Sequence, residues 1–186
     1  MNIFQSIVIT EVNLIGLTPL KPSNNFFKEL EDFFKEPKKA LIVRVLDSHF
    51  SKNFKEKIIS VSQENESIVI FNSRNILNKS LNIHLTSKDL MLCKDRPSKN
   101  FILGASCHNI NEIKKANLLE CDYVLISPVM TNKYQNKKLG WKGFKKMAEA
   151  FNGPSYALGG MQVSDIDMAI KHKGQGIAGI SCFFRD

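Results

Sequence analysis

The residues best suited to chemistry stand next to short apolar runs in the second half of the chain. Gly159 and Gly160 follow the run SYAL, while Ile180 ends the run GIAGI and Ser181 follows it. Backbone amides without a nearby Cβ, beside a serine hydroxyl, are suited to binding a phosphate monoester. A glycine pair alone is more often a tight turn. Its pairing with a serine at the end of the next run favours a phosphate site.

A second set of polar side chains follows the two preceding runs. Ser106 and His108 come after FILGA, and Thr131 and Lys133 come after YVLIS. A serine can donate to an anionic oxygen, a lysine can neutralise a leaving group, and histidine titrates near neutral pH. A lone histidine here is more often structural, for instance as a helix cap, and a loop lysine is often only solvated. We take Ser106, His108 and Lys133 as candidate catalytic residues.

The elements that must position these residues are visible as apolar runs alternating with amphipathic stretches, without a linker rich in Gly, Ser or Pro. This alternation predicts a single α/β domain over residues 1–186. The predicted strands are Ser6–Thr10, Ala40–Val45, Ser67–Phe71, Asn82–Leu85, Phe101–Ala105, Tyr123–Ser127, Ser155–Leu158 and Gly176–Ile180. The predicted helices are Asn25–Lys35, Asn53–Gln63, Asn111–Leu119, Trp141–Phe151 and Ser164–His172, with Ser164 as the cap of the last.

Eight strands with crossovers favour a TIM (β/α)8 barrel over an open doubly wound sheet. No G-x-G-x-x-G motif follows the first strand, which weakens the dinucleotide-binding alternative. Short segments after strands three and four, around Arg74–Asn78 and Ser87–Cys93, predict single helical turns. The CFFRD segment after strand eight predicts a missing or truncated eighth helix. In such a barrel, the polar residues after the late strands share the face where active sites lie.

Composition narrows the classes of protein. The N-terminus lacks the pattern of a signal peptide and no apolar run reaches membrane-spanning length, so we expect a cytoplasmic protein without membrane contact. The four cysteines form no C-x-x-C pair, which argues against a zinc site. The net charge of +8 comes from scattered lysines and suits a small phosphorylated anion. No nucleic-acid motif is present, so no nucleic-acid partner is expected.

The phrases IHLTSKDL, ASCH, SPV, LGW, ALGGM and QGIA together resemble the thiamine phosphate synthase/TenI family, and most closely its version fused to Nudix hydrolases in some bacteria. The resemblance covers roughly Ile83 to Ser181 strongly. It implies a transferase that condenses hydroxymethylpyrimidine diphosphate with thiazole phosphate, with magnesium, to give thiamine phosphate and pyrophosphate. Two alternatives stay open: a TenI-like thiazole tautomerase that uses His108 as its proton carrier, and a non-catalytic barrel that binds a phosphate ligand.

The resemblance also implies roles for individual residues. Thiazole phosphate would bind at Gly159, Gly160, Ile180 and Ser181, and the diphosphate at Ser106, Thr131, Lys133, Arg44 and Asn72. Asp89 would contribute to the magnesium site.

The chain also departs from the family pattern. Ile42 and Leu46 replace the glutamine and lysine that flank the family's arginine, and Ser73 replaces an aspartate of the metal site. The resemblance therefore predicts weak Mg²⁺ binding. Apolar surface bared by a missing eighth helix could be covered in a homodimer.

Overall fold

The barrel predicted from the alternation of elements is confirmed by the structure. A computed structural model describes residues 9–36, 38–75, 80–130 and 138–185. Eight parallel strands pair in chain order, and β8 pairs with β1, so the sheet closes and the open doubly wound alternative is wrong. The strands are β1 (Leu14–Leu17), β2 (Lys39–Val43), β3 (Ile68–Asn72), β4 (Ile83–Leu85), β5 (Leu103–Cys107), β6 (Tyr123–Ile126), β7 (Ser155–Leu158) and β8 (Gly176–Gly179).

Helices surround the barrel, and their apolar faces pack on the strands. The described residues contain α1 (Phe26–Phe34), α2 (Lys52–Glu64), α3 (Ser87–Leu92), α4 (Ile110–Leu118), α5 (Gly140–Ala148) and α6 (Ile166–Lys171). The short helix predicted after strand four is confirmed as α3. After β3, residues 73–75 form a turn, and residues 76–79 lie outside the described ranges. Within those ranges no helix is long and apolar enough to cross a membrane.

The first strand was predicted in the wrong place. Ile9–Glu11 is a 3-10 helix rather than part of a strand, and β1 begins at Leu14. The apolar residues Ile9 and Val12 are buried, and their carbonyls accept hydrogen bonds of 2.8 and 2.9 Å from the Tyr156 hydroxyl. Residues 9–12 therefore cover the N-terminal end of the barrel interior, and residues 6–8 of the predicted strand lie outside the described residues.

The predicted cap of the last helix is also wrong. Gln162 has the extended backbone of an N-cap residue, and its N–H donates to the Asp165 carboxylate at 2.8 Å. Val163–Asp165 then forms a 3-10 turn that leads into α6. Ser164 lies inside this first turn, where its side chain cannot cap the helix.

Side chains on the strands alternate between two apolar cores. One core fills the barrel interior and includes Ile42, Ile70 and Leu125, while the other lies between strands and helices and includes Leu41, Phe71 and Val124. The inward-facing positions become polar at the carboxyl ends of several strands, and that layer of polar residues forms the floor of the candidate site.

The segment after β8 packs on the outside of the barrel. Phe183 and Phe184 donate backbone N–H groups to the Ile180 carbonyl, which folds the segment into a turn within the described residues. Phe184 is 1% exposed, and its ring lies against Gly16 on β1, where an added Cβ would meet the ring at 2.9 Å. Phe184 thus covers part of the strand surface that was expected to be bare, and the homodimer stays a prediction.

Candidate functional site

Arg44 and Asn72 lie at the carboxyl ends of neighbouring strands on inward-facing positions. Arg44 follows β2 two residues after the inward-facing Ile42, and Asn72 ends β3. Thr18, which is fully buried, holds the Arg44 backbone by accepting from its N–H at 2.8 Å and donating to its carbonyl at 2.7 Å. The half-buried guanidinium of Arg44 is therefore carried on a fixed backbone at the barrel mouth.

Ser106 lies within β5 rather than after it, because the strand runs to Cys107. Its hydroxyl is 2.8 Å from Nε2 of His84 on β4, and Nδ1 of His84 is 3.0 Å from the Tyr123 hydroxyl on β6. Burial, and secondarily the Arg44 charge, lower the pKa of His84 to about 3, so this imidazole is neutral. Ser106 is thus held by a contact from the barrel interior, and the residue stays partly exposed at the barrel mouth.

The glycine pair after β7 has the backbone geometry that a turn for anion binding requires. Gly159 and Gly160 have φ values of +102° and +71°, a region that favours glycine. Leu158 pairs with Ala178, so Gly160 and Ile180 stand side by side two residues beyond that pair. Neither the Gly160 nor the Ser181 amide donates to another described residue, and both residues are exposed. Two amides are therefore available to an anion at adjacent strand ends.

His108 is held at the rim by its backbone and by one ring nitrogen. Nδ1 is 2.9 Å from the Ser127 carbonyl, and the backbone N–H donates to the buried Glu112 carboxylate. Asn109, not His108, caps α4 by accepting from the Glu112 N–H. The Ser127 hydroxyl also lies 3.2 Å from Nδ1. The shorter contact is the one to the carbonyl, which accepts only from a protonated nitrogen and so places the proton on Nδ1, while Nε2 has no partner among the described residues.

The predicted metal carboxylate lies in a hydroxyl network. Oδ2 of Asp89 accepts from the Ser73 hydroxyl at 2.5 Å and from the Thr86 hydroxyl at 2.8 Å. Thr86 also caps α3 by accepting from the Asp89 N–H. The described residues contain no group of three or more His, Cys, Asp or Glu side chains placed to hold a metal. One carboxylate already bonded to two hydroxyls does not fit a magnesium ion held by the protein.

The structure brings several of the predicted residues together at the mouth and leaves others untested. Thr131 and Lys133 lie outside the described residues. Sequence reasoning missed Thr18, His84 and Tyr123. The signal for His84 was present, because a histidine in the otherwise apolar strand IHL must satisfy two ring nitrogens inside the barrel. Asp89 lies in α3, which follows β4. The other described residues of the predicted site lie at or beside strand ends: Arg44, Asn72, Ser106, His108, Gly159, Gly160, Ile180 and Ser181.

Comparisons with known proteins identify the family and the fold. The model of the family described as thiamine monophosphate synthase matches residues 14–183. A thiamine-phosphate synthase of Fusobacterium nucleatum is 28% identical over 169 residues, which cover 84% of this chain and 81% of that protein. Among solved structures, a thiamine phosphate pyrophosphorylase from Pyrococcus furiosus shares the fold with a TM-score of 0.69 at 17% identity, over 93% of this chain and 87% of that one.

A second solved structure, a thiamine phosphate pyrophosphorylase from Bacteroides thetaiotaomicron, has a TM-score of 0.61 at 16% identity, over 92% of this chain and 84% of that one. Since the family model covers the barrel from its first strand to the segment after its last, this chain belongs to the thiamine monophosphate synthase family.

Proposed function

We propose that this chain is a thiamine phosphate synthase. It would condense hydroxymethylpyrimidine diphosphate with thiazole phosphate, forming thiamine phosphate and releasing pyrophosphate. The observation that supports the proposal is that anion-binding donors follow or end strands on two sides of one barrel mouth, and we assign them to two separate anion-receiving regions. One comprises Arg44, which follows β2, and Ser106 on β5, and the other comprises the Gly160 and Ser181 amides after β7 and β8.

The two regions differ in chemistry as the two substrates do. Arg44 supplies a permanent charge and a fork of N–H donors, which suits the doubly charged end of a diphosphate. The amide region supplies no side-chain charge, and backbone amides of this kind suit a phosphate monoester. Placing the diphosphate over Arg44 and the monophosphate over the glycine turn would bring the two reacting ends together above the barrel.

The reaction needs charge stabilisation more than it needs a base. The bond from the pyrimidine methylene carbon to oxygen breaks, the electron pair leaves with pyrophosphate, and the thiazole nitrogen forms the new bond to carbon. Fixed donors aimed at the developing charge on pyrophosphate lower this barrier. In this proposal Arg44 and the Ser106 hydroxyl take that task, supported by the contacts that hold them at the barrel mouth, and the family resemblance adds Lys133.

Calorimetric titration with each ligand tests the proposal. We expect pyrophosphate and thiazole phosphate to bind at the same time, because their regions do not overlap. Arg44→Ala should weaken pyrophosphate binding roughly 10- to 100-fold, the scale of a lost hydrogen bond to a charged group, and leave thiazole phosphate binding unchanged. Lys171→Ala is the control, because it removes one positive charge from an exposed position in the last turn of α6. Competition between the two ligands, or equal effects of both variants, would contradict the assignment.

Thiazole tautomerase activity is the second candidate function, and His108 favours it. The contact between Nδ1 and the Ser127 carbonyl leaves Nε2 as a fixed basic atom on an exposed ring. A proton carrier requires such an atom, and the reaction requires no pyrophosphate. The two activities are separated by the substitutions of His108 and Lys133 described below.

A further inference from the structure

We propose that Tyr123 and His84 form a buried hydrogen-bond relay that keeps the hydroxyl proton of Ser106 available to an anionic ligand at the barrel mouth. In this arrangement His84 is a positioning residue that acts through Ser106. The relay is a property of the free protein, and it rests on the proposed function only for the identity of the anion.

The three groups form a line through the barrel interior. The side chains of His84 and Tyr123 are 1% and 0% exposed, and their rings stack with centroids 5.6 Å apart and planes at 28°. Tyr123 reaches His84 because β5, which lies between their strands, carries a glycine at this level. An added Cβ at Gly104 would lie 2.1 Å from the Tyr123 ring. Gly104 pairs with both His84 and Tyr123 in the strand register.

The number of protons available fixes the direction of the relay. Burial raises the pKa of Tyr123 far above its usual value, so the phenol keeps its proton. His84 is neutral and carries one proton on one of its two nitrogens. Among the described residues His84 is the hydrogen-bond partner of the Tyr123 hydroxyl, and a buried hydroxyl proton without an acceptor is costly. Tyr123 therefore donates to Nδ1.

The remaining steps follow from that first bond. Since Nδ1 accepts, Nε2 carries the imidazole proton and donates to the Ser106 oxygen at 2.8 Å. The Ser106 proton then has no acceptor among the described residues and is free for a ligand. In the opposite tautomer, Ser106 would donate its proton to Nε2. Its oxygen lone pairs would then face the ligand and repel an anion. A tyrosine hydroxyl beneath the site thus determines whether Ser106 is a donor.

Nitrogen-15 NMR of the free protein tests the relay without any substrate. We expect His84 to show a protonated Nε2 and an unprotonated Nδ1 in the unaltered protein. In Tyr123→Phe, which retains the ring, the population should shift toward the Nδ1-protonated form. A protonated Nδ1 in the unaltered protein, or a tautomer unchanged by Tyr123→Phe, would overturn the proposal.

Pyrophosphate binding, measured by calorimetry, tests the connection to the site. Ser106→Ala should weaken binding roughly 10-fold or more, the scale of a lost bond to a charged group, and Tyr123→Phe should weaken it several-fold. In the Ser106→Ala background, Tyr123→Phe should have no further effect. His84→Gln, whose amide can donate to Ser106, should retain more binding than His84→Leu.

Tyr156→Phe is the matched control, since this second interior tyrosine donates to the Ile9 and Val12 carbonyls at the other end of the barrel. It should leave pyrophosphate binding unchanged. Equal weakening by the Tyr123 and Tyr156 variants would reduce His84 to a structural role and overturn the proposal. If the unaltered protein binds no pyrophosphate, the proposed function fails, while the tautomer measurement still decides the relay.

Discussion

One oxygen of Asp89 accepts hydrogen bonds from both Ser73 and Thr86, so this carboxylate serves the α3 cap and the β3 turn. Where the family resemblance expects a second carboxylate, Ser73 supplies a hydroxyl. Two carboxylates at this place would repel each other and would bind a cation between them. With Ser73 instead, the polar groups satisfy one another by hydrogen bonds. This network explains in physical terms why weak magnesium binding is expected.

Ser73→Asp should convert this network into a cation site. We expect Mg²⁺ alone to bind weakly to the unaltered protein and about tenfold or more tightly to the variant, since ligand charge count sets the affinity of oxygen-ligated sites. Titration calorimetry with MgCl₂ measures the change. Ser73→Asn, similar in size but uncharged, should not tighten binding. Tight binding by the unaltered protein would mean that the strand-three turn has been assigned wrongly.

His108 and Lys133 separate the two enzymatic candidates. If the chain is a transferase, Lys133→Ala should lower turnover by about 10²-fold, the scale of one lost electrostatic donor, and His108→Ala should matter less. If it is a tautomerase, His108→Ala should lose about 10² to 10⁴-fold, since a positioned acid or base contributes that much. Both variants are measured in both assays. A transfer assay that His108→Ala damages more than Lys133→Ala would contradict the proposed transferase.

The sequence predicted the site residues that directly follow a predicted strand. It did not predict the residues that act through a contact with a different strand. Gly160 and Ser181 were recognisable because glycines and a hydroxyl follow consecutive apolar runs. Thr18 and Tyr123 were not, because each contacts a residue on or just after a different strand: Thr18 contacts the Arg44 backbone and Tyr123 contacts His84. Such pairs depend on strand register, which apolar periodicity does not specify for a closed sheet.

At the scale of elements, the error at the first strand has a physical origin. SIVIT and LIGL are both short and apolar, and the first is richer in β-branched residues, so propensity favours it. The structure places Leu14–Leu17 in the sheet, and Gly16 in that segment leaves room for Phe184 on the outer face. Most other elements were predicted within a few residues, because alternating strands and helices have distinct apolar periods.

Gly104→Ala tests the close packing of the Tyr123 ring of β6 against Gly104 of β5. The added Cβ would overlap the Tyr123 ring, whose position inside the barrel is fixed by packing, so we expect a loss of at least about 2 kcal/mol in the free energy of unfolding. Urea denaturation measures it. Gly143→Ala in α5, where the three nearest side-chain atoms to the new Cβ belong to Leu139 at 3.1 Å or more, should change stability by less than about 1 kcal/mol. Equal small effects would contradict the packing described for Tyr123.

At the scale of the whole molecule, the buried neutral His84 makes stability depend on pH. Its folded-state pKa of about 3 lies below the ordinary value of 6.5, so between these values the unfolded chain binds more protons. The contribution of His84 to the free energy of unfolding is therefore fully present above about pH 6.5, and it falls as the pH drops toward 3. From pH 7 to pH 5 the contribution of this one group falls by about 2 kcal/mol.

Urea denaturation of the unaltered protein and of His84→Gln at pH 7 and pH 5 isolates this contribution. Other titrating groups are common to both proteins, so they cancel in the comparison. The unaltered protein should lose about 2 kcal/mol more than the variant over this range. An equal loss in both would mean that His84 is protonated in the folded state, which the relay does not allow.

The most direct test of the account is a transfer assay with purified protein, hydroxymethylpyrimidine diphosphate and thiazole phosphate, in which thiamine phosphate and pyrophosphate are both quantified. The two anion-receiving regions on one mouth predict that the products appear in equal amounts and that Arg44→Ala lowers their rate of formation. Binding of both substrates with no thiamine phosphate formed, or release of pyrophosphate without it, would contradict the proposal that this barrel is a thiamine phosphate synthase.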